Sequence, residues 1–531
     1  MSRARDVASN NLALINPTSD GNLLTASSGA WVSQAPAPAP PSGNQVEMVA
    51  SGTIANGDTV ILNSDGTVSA ITGAAGGEFS KQTFQNSNIV MKTSGTLHTG
   101  ENKVVIVYQD QTSSTHGKIV AATISGDTLT FGTPLTYNST YTNEADVAYD
   151  VNANLIVVAY ETTPNQWGEI QTFTLSGTTF TQAGSATRWN SSNSSGATAI
   201  QYDPDAQGCL LFWRNISSSN YGQCKYVGVS GSTIAFGNPS TYNSALTTKN
   251  RVIYNTQDQH HLVCFKNGGN SSYVDYAVVT MTSAGVVAFR NSGNTISTGF
   301  ENHDIVYNPD QNIVALSGQF AGNGSYSGNV VIMTPAASYS YTNTGIPNAA
   351  STKFTSSGET ADWTRLIYNP DNQKFAVFWI GNNSSTIINY VRGSQFTVDT
   401  ANNNLITLEA PTSFVSVNNQ YYIAPVYDTN ADRIFLAYHD QSDGNYGKAG
   451  IMKFPSTTLT ASNFLGFANG AYTNGQTATI QTTGNIDDAQ SGLVINTTYF
   501  VQNDGSLGTS PSPQANVTAG KAIAATKILI A

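Results

Sequence analysis

The sequence predicts an all-β protein built around a seven-bladed β-propeller, with small flanking β modules and an extended N-terminal arm. Charged residues make up only 10% of the 531 residues, whereas Tyr and Phe number 25 and 21, and aromatic residues favour strands. A unit built around an anchoring tyrosine recurs at spacings of 52 to 61 residues. Each copy contains four strand-like segments separated by turns, which is typical of a propeller blade.

Six copies of this unit carry the anchoring tyrosine, at Tyr149, Tyr202, Tyr254, Tyr307, Tyr368 and Tyr427. A weaker copy upstream has Leu97 in the tyrosine position. A turn follows each tyrosine, and in three copies it is Pro-Asp, where Pro fixes φ and Asp can bond its own backbone. The fourth strand is expected in segments such as 128–138 and 233–243. A β-solenoid is the alternative, but its repeats are usually shorter, so seven copies predict seven blades over 78–465.

The two ends of the chain differ from the repeats. Residues 1–44 form a polar arm followed by a Pro-rich spacer, which predicts an extended segment. Residues 45–77 and 466–531 each contain Asn-Gly or Asp-Gly steps between apolar residues, a strong hairpin signal. The phrases IANGDTV (54–60) and YTNGQTA (472–478) resemble each other. We therefore expect two related β modules that pack together.

Charge and composition exclude several classes of function. The net charge is -11, and the 22 Lys and Arg residues form no run, so neither nucleic acid nor an anionic membrane surface is an expected partner. No apolar stretch approaches the length of about 20 residues that a membrane-spanning helix needs. Cys209, Cys224 and Cys264 show no metal-ligand spacing, so no disulfide framework, metal or cofactor is predicted. The N-terminus lacks the apolar core of a secretory signal, so folding in a cytosol is expected.

Both ends resemble the structural proteins of bacteriophage virions. The segments that carry the resemblance are NLLTASSGAWVSQAPAP (22–38), FANGAYTNGQTATIQTTGN (467–485), TYFVQNDGSLGTSPSP (498–513) and AATKILI (524–530). They are similar to parts of tail-fibre and other virion proteins of marine phages and cyanophages. The resemblance implies a virion component folded in the host cytoplasm. It also implies a homo-oligomer, with a trimer as one option, that docks onto other virion proteins through residues 1–44. It carries over no catalytic residue.

Aromatic residues mark one face of the predicted propeller. The loop between the second and third strands shares a face with the links between blades. Near the end of this loop stand His116, Trp167, Tyr221, Tyr273, Tyr326 and Tyr446. The sixth blade breaks the pattern with Thr386, Ile387 and Ile388. Flat rings among neutral polar side chains suit sugars, so these residues are candidate ligands for host surface polysaccharide. The alternative is that each ring packs on its own hairpin.

A second set of residues lies three positions before each anchoring residue, at the start of the innermost strand. The set comprises Ser94, Asp146, Ala199, Arg251, Asp304, Arg365 and Ala424. Four charges at the mouth of a central channel stand out in a chain with so few. They predict either a site for a charged ligand or ion pairs that neutralise a partly buried channel.

Signals of catalysis are weak. A glycosidase needs two carboxyl groups at set distances, and the candidates are Asp146, Asp304, Glu144, Glu161 and Glu301. No nucleophile elbow, phosphate loop or dinucleotide motif stands in a supporting context. The prediction is a non-enzymatic tail-fibre or appendage subunit that attaches to the host surface. The alternatives are an architectural virion protein, such as a tail nozzle or head fibre, and a propeller glycoside hydrolase.

Overall fold

The computed structural model describes residues 23–27, 30–34, 44–74, 76–87, 89–111, 115–163, 167–190, 196–271, 273–296, 300–322, 325–344, 352–356, 359–383, 389–417, 422–512 and 515–531. The chain forms two compact units, a larger one of Ala75–Pro455 and a smaller one of Met1–Ala74 with Ser456–Ala531. Within 1–43, strands Leu23–Ser27 and Ala30–Gln34 pair as a hairpin. The rest of the predicted docking arm and the spacer lies outside the described residues. No helix in the described ranges is long and apolar enough to cross a membrane.

Antiparallel sheets, the blades, follow one another along the larger unit. Blade 1 comprises Ile89–His98, Lys103–Asp110, His116–Ser125, Thr128–Phe131 and Leu135–Asn138. Blade 2 comprises Thr142–Asp150, Leu155–Thr162, Trp167–Ser176, Thr179–Gln182 and Thr187–Asn190. Blade 3 comprises Ala199–Asp203, Gly208–Asn215, Tyr221–Ser230, Thr233–Phe236 and Ser240–Asn243. Blade 4 comprises Thr247–Asn255, His260–Asn267, Tyr273–Met281 and Val287–Ile296.

The remaining blades have the same antiparallel order. Blade 5 comprises Phe300–Asn308, Ile313–Gly322, Ser325–Ala336 and Ser340–Thr344. Blade 6 comprises Glu359–Asn369, Lys374–Asn383, Asn389–Asp399, Leu405–Leu408 and Thr412–Val417. Blade 7 comprises Ile423–Asp428, Arg433–Asp440, Tyr446–Lys453 and, from the N-terminal side, Gly77–Gln85. Short 3-10 turns occur at Ile216–Ser218, Thr400–Asn402 and Gln441–Asp443.

The blades form a closed ring. The first strand of each blade contacts the first strand of the next, and that of blade 7 contacts that of blade 1. The apolar core consists of one cluster between each pair of neighbouring blades, including blades 7 and 1. Burial of these faces between sheets is the main stabilising term of such a fold. The prediction of an all-β, seven-bladed propeller is confirmed.

The ring closes through a strand that the repeat pattern did not reveal. Gly77–Gln85, called here the closing strand, pairs antiparallel with Tyr446–Lys453 and completes blade 7. Its Phe84 is buried in the cluster between blades 7 and 1. Its Glu78 accepts a hydrogen bond of 2.6 Å from the Tyr438 hydroxyl. The closing strand joins the two ends of the propeller and covers an edge that would otherwise be unpaired.

The outer strand of several blades differs from the single fourth strand that the sequence predicted. In blade 1, Thr128–Phe131 and Leu135–Asn138 both pair with the third strand but are separated by a Gly-Thr-Pro break. Gly132 lies so close to blade 2 that a Cβ would approach the Thr178 carbonyl oxygen to 2.5 Å. The close approach of blades therefore interrupts the outer strand.

Anchoring tyrosines join blades 4, 6 and 7 to the blade that precedes each of them. The hydroxyl of Tyr368 donates to Asp310 over 2.5 Å, and Asp310 belongs to the Pro-Asp turn of the preceding blade. Tyr254 makes the same bond to Asp205, and Tyr427 bonds Asp371. The burial of these phenols raises their pKa. The recurrence of tyrosine and Pro-Asp in the sequence therefore reflects a contact between blades.

The smaller unit contains strands from both ends of the chain. Its first sheet has the order Gln45–Val49, Thr477–Gln481, Phe464–Ala468, Thr59–Leu62 and Val68–Ala70. Ile54 and Tyr472, at equivalent places in the two similar phrases, exchange backbone hydrogen bonds of 2.9 and 2.8 Å. A second sheet comprises Ile486–Asp487, Lys527–Ile530, Thr518–Ala524, Thr498–Val501 and Leu507–Gly508. The short pair Gly73–Ala74 and Ser456–Thr457 also lies here. The two modules thus share one sheet.

Candidate functional site

A cavity of about 770 Å³ lies where the first strands of the blades begin. All seven residues three positions before the anchoring residues line it, from Ser94 in blade 1 to Ala424 in blade 7. The four charges predicted at the channel mouth, Asp146, Arg251, Asp304 and Arg365, are among them. The ring therefore brings residues that are hundreds of positions apart to a single cavity of the size that ligands occupy.

A second ring of lining residues, which the sequence analysis missed, lies two positions earlier in each blade. Its described members are Glu144, Ala197, Lys249, Asn302, Trp363 and Tyr422. In the first five, φ lies between 43° and 59°, in the left-handed region. In blades 2, 4, 5 and 6 the strand register shifts at this point, which is a β-bulge. Bulges re-aim side chains and cluster next to functional sites.

Hydrogen bonds between blades hold this bulge ring together. The backbone N–H of Ala197 donates to Glu144, and the Asn250 side chain donates to the carbonyl of Ala197 over 2.7 Å. Lys249 donates to the Asn302 side chain over 2.9 Å. The Thr364 hydroxyl then donates to the carbonyl of Asn302 over 2.6 Å. A continuous series of contacts therefore fixes the cavity rim from blade 2 to blade 6.

The carboxylates of Asp146 and Asp304 link neighbouring blades through hydrogen bonds and an ion pair. Asp304 accepts the backbone N–H of Leu366 over 2.8 Å and pairs with the Nε of Arg251 over 3.2 Å. Asp146 accepts the backbone N–H of Ile200 over 2.8 Å and also the Ser94 hydroxyl. Burial raises the pKa of Asp146. Both oxygens of each carboxylate thus have a protein donor.

Arg365 differs from the other charges of the ring. Its guanidinium donates to the carbonyl of Thr364 over 2.8 Å. In the part of the chain that the structure describes, no carboxylate oxygen lies within 4.0 Å of it. Burial, followed by the positive charge of Arg251, lowers the pKa of Arg365 to about 10. The Arg251–Asp304 pair thus matches the neutralisation that was one of the two expectations, whereas Arg365 does not.

An aromatic pair stands beside these charges. The rings of Trp363 and Tyr422 lie 4.5 Å apart at an angle of 47°, and both residues line the cavity. Arg365 lines the same cavity, and burial raises the pKa of the Tyr422 phenol. Both rings are half-buried. One end of the cavity therefore combines flat apolar surface with a guanidinium group.

The predicted loop aromatics lie on the same face as the cavity but two strands farther out. The register shows this in blade 2, where Thr142 pairs with Thr162, which in turn pairs with Trp167. Each of the other five likewise stands at or next to the start of a third strand, at His116, Tyr221, Tyr273, Tyr326 and Tyr446. Blade six's Thr386, Ile387 and Ile388 lie outside the described residues.

The accessibility of these aromatic residues varies. Tyr326 is 51% exposed, whereas the other five are half-buried. The Arg188 guanidinium lies 3.3 Å from the Trp167 ring centre and also pairs with Glu169. The Tyr446 ring lies against Gly444 of its own loop, where a Cβ would be 2.8 Å from the ring. The Trp167 ring is therefore covered by the outermost strand of its own blade, and the Tyr446 ring packs on its own loop.

Metal-binding clusters and thiols add nothing to this site. Within the described ranges no group of three His, Cys, Asp or Glu residues could hold a metal ion. His303 lines the cavity but is buried, and its Nε2 lies 3.2 Å from the carbonyl of Cys264. Cys209, Cys224 and Cys264 are buried, and burial raises the pKa of each thiol. These groups belong to the core.

The comparisons with known proteins concern the fold. No protein-family model matches the sequence, and no curated protein matches it. A lectin from Burkholderia pseudomallei is similar, with 11% identity, a TM-score of 0.48, and coverage of 74% of this chain and 99% of its own. A candidate 6-phosphogluconolactonase from Bacteroides uniformis has 11% identity and a TM-score of 0.41, with coverage of 70% and 97%. The fold and the cavity define a β-propeller protein with a ligand-sized cavity on its axis.

Proposed function

We propose that this chain is a non-enzymatic, carbohydrate-binding protein of a bacteriophage virion, a tail-fibre or appendage subunit that attaches to host surface polysaccharide. The observation that supports binding is the cavity with its Trp363–Tyr422 ring pair among hydrogen-bonding side chains. Apolar ring faces stack on sugars, and neighbouring polar groups bond their hydroxyls. The virion location rests on the resemblance of the terminal segments.

The rigid rim supports a binding role. The bulge ring holds five residues in a backbone conformation that is unfavourable for side chains other than glycine. Such conformations cost of order 1–3 kcal/mol each and persist where the surroundings fix them. A rim fixed before the ligand arrives reduces the entropy that binding must overcome. Homo-oligomers would then add avidity to weak single sites.

Hydrolysis is the alternative that one feature favours. Burial raises the pKa of Asp146, as a general acid would require. However, its two oxygens accept the Ser94 hydroxyl and the Ile200 N–H, so the carboxyl is engaged in joining blades. We therefore propose binding without bond cleavage. Release of reducing sugar from host polysaccharide, abolished by Asp146→Asn, would instead support the hydrolase.

Binding of the purified chain to host surface polysaccharide, followed by titration calorimetry, tests the proposal. We expect Trp363→Ala to weaken binding by at least about fivefold, since one aromatic contact contributes about 1 kcal/mol beyond its buried area. Trp167→Ala is the matched control, because that ring lies on the same face but is covered by Arg188. Circular dichroism checks that both variants are folded.

Two results would contradict the cavity as the site. If Trp363→Ala binds normally while the joint change of Trp167, Tyr221 and Tyr446 to Ala abolishes binding, the loops hold the ligand. If the unchanged chain binds no host polysaccharide, the result would favour an architectural virion protein without receptor binding. Immunolabelling of intact particles tests the virion location separately.

A further inference from the structure

The charged side chains of the cavity differ in how many of their hydrogen-bonding atoms have a protein partner. Asp146 and Asp304 each use both carboxylate oxygens for protein donors. Arg251 gives its Nε to Asp304 and one terminal nitrogen to the carbonyl of Asn250 over 3.0 Å. Arg365 bonds the carbonyl of Thr364, although a guanidinium has five N–H donors. Among these four charged side chains, the arginines therefore retain unused donors, whereas both oxygens of each carboxylate are engaged.

The position of Arg365 adds an electrostatic reason for an anion. Its own burial and the neighbouring Arg251 both disfavour its charge, which lowers its pKa to about 10. Asp304 and Asp146 compensate in part, but Asp304 Oδ1 already pairs with Arg251, and both Asp146 oxygens accept hydrogen bonds from Ser94 and Ile200. A negatively charged ligand group beside the Arg365 guanidinium would offset this unfavourable charge. The planar fork of arginine matches the two oxygens of a carboxylate.

The aromatic pair indicates what carries the charge. Trp363 is two residues from Arg365 in the same strand, and Trp363, Tyr422 and Arg365 all line the cavity. A ligand held by Arg365 therefore lies beside two ring faces. A sugar ring with a carboxylate substituent has both an apolar face and an anionic group.

Resting on the proposed function, we propose that the cavity selects acidic polysaccharide: Arg365, with Arg251 beside it, binds the carboxylate of a uronic acid residue whose ring stacks on Trp363. The interaction is non-covalent. A sulfate ester is the other sugar substituent that would supply anionic oxygens. Because the arginine fork binds tetrahedral oxyanions as well as carboxylates, the test below includes a sulfated sugar.

The test uses the full chain and a panel of trisaccharides of galacturonate, glucuronate, mannuronate and guluronate, each beside its methyl ester. The ester keeps the ring but removes the charge. We expect at least one uronate to bind at least tenfold more tightly than its ester in titration calorimetry. Arg365→Gln should reduce its affinity to that of the ester, and Arg365→Lys should restore part of it. Arg188→Gln is the matched control, since Arg188 lies on the same face but pairs with Glu169.

The outcomes separate this inference from the proposed function. Equal binding of acids and esters, unaffected by Arg365→Gln, would overturn the acidic selectivity and leave carbohydrate binding in place. Binding of a sulfated carrageenan tetrasaccharide with dependence on Arg365, and of no uronate, would overturn the carboxylate. Host polysaccharide that binds nowhere on the chain would overturn both. A loss of affinity in Arg188→Gln equal to that in Arg365→Gln would also contradict the site.

Discussion

Replacing Phe84 with Ala should open the propeller at its closure. Phe84 is the buried aromatic residue of the closing strand, only 6% exposed in the cluster between blades 7 and 1. Its ring packs edge-on against Tyr108 with centroids 5.1 Å apart, and 5.5 Å from Phe131. Truncation of a buried Phe to Ala costs about 3–5 kcal/mol. Because the closing strand is the chain segment that links blade 7 to the N-terminal side, this loss falls on the ring closure.

Phe79→Ala provides the matched control. Phe79 belongs to the same strand but is 36% exposed, and Lys453 lies 4.8 Å above its ring. An exposed cation–π contact contributes about 0.5–1 kcal/mol. The assay is urea denaturation followed by circular dichroism, with both variants compared to the unchanged chain. A stability of Phe84→Ala within about 1 kcal/mol of Phe79→Ala would refute closure through this strand.

Two further predictions concern buried charge and pH. Arg392→Met should lower the free energy of unfolding by about 3–5 kcal/mol in urea denaturation, because buried Glu359 loses the guanidinium 2.7 Å away. Lys374→Met, which removes the more exposed ion pair with Glu409, should lower it by less than about 1 kcal/mol. Burial lowers the pKa of His303 from 6.5 to about 3, so the folded state resists its protonation and stability falls as pH drops below about 6.5. His303→Gln should remove about 3 kcal/mol of the stability loss between pH 6.5 and pH 4, and an unchanged pH dependence in this variant would contradict the neutral state.

The blade count could be predicted from sequence because the anchoring tyrosine recurs in blades 2 to 7, with Leu97 at the same position in blade 1. A tyrosine hydroxyl must reach the turn of the preceding blade, so the tyrosine and the turn residues reappear at the blade spacing, as in Tyr368 and Asp310. The closing strand could not be predicted in this way. Gly77–Gln85 has no copy of the motif, and its partner, Tyr446–Lys453, is distant in sequence. Pairing at the ends of a ring depends on closure, which leaves no local signal.

The cavity was predictable in part for a similar reason. The ring that contains Arg365 follows the tyrosine spacing, so its charges could be placed at one mouth. The bulge ring obeys the same spacing, and a search at five residues before each tyrosine would have found Trp363. A strand with regular alternation gives no reason to look there, because a bulge changes which side chains face the axis. The cover of Trp167 by Arg188 depends on a pairing between strands that the sequence does not show.

A structure of the chain with a bound oligosaccharide from the host polysaccharide would locate the ligand. We expect density for a sugar in the cavity, with its ring against Trp363 and Tyr422 and an acidic group at Arg365. A sugar bound outside the cavity, on the loop aromatics or on the smaller unit, would contradict this expectation. So would an unoccupied cavity at saturating oligosaccharide.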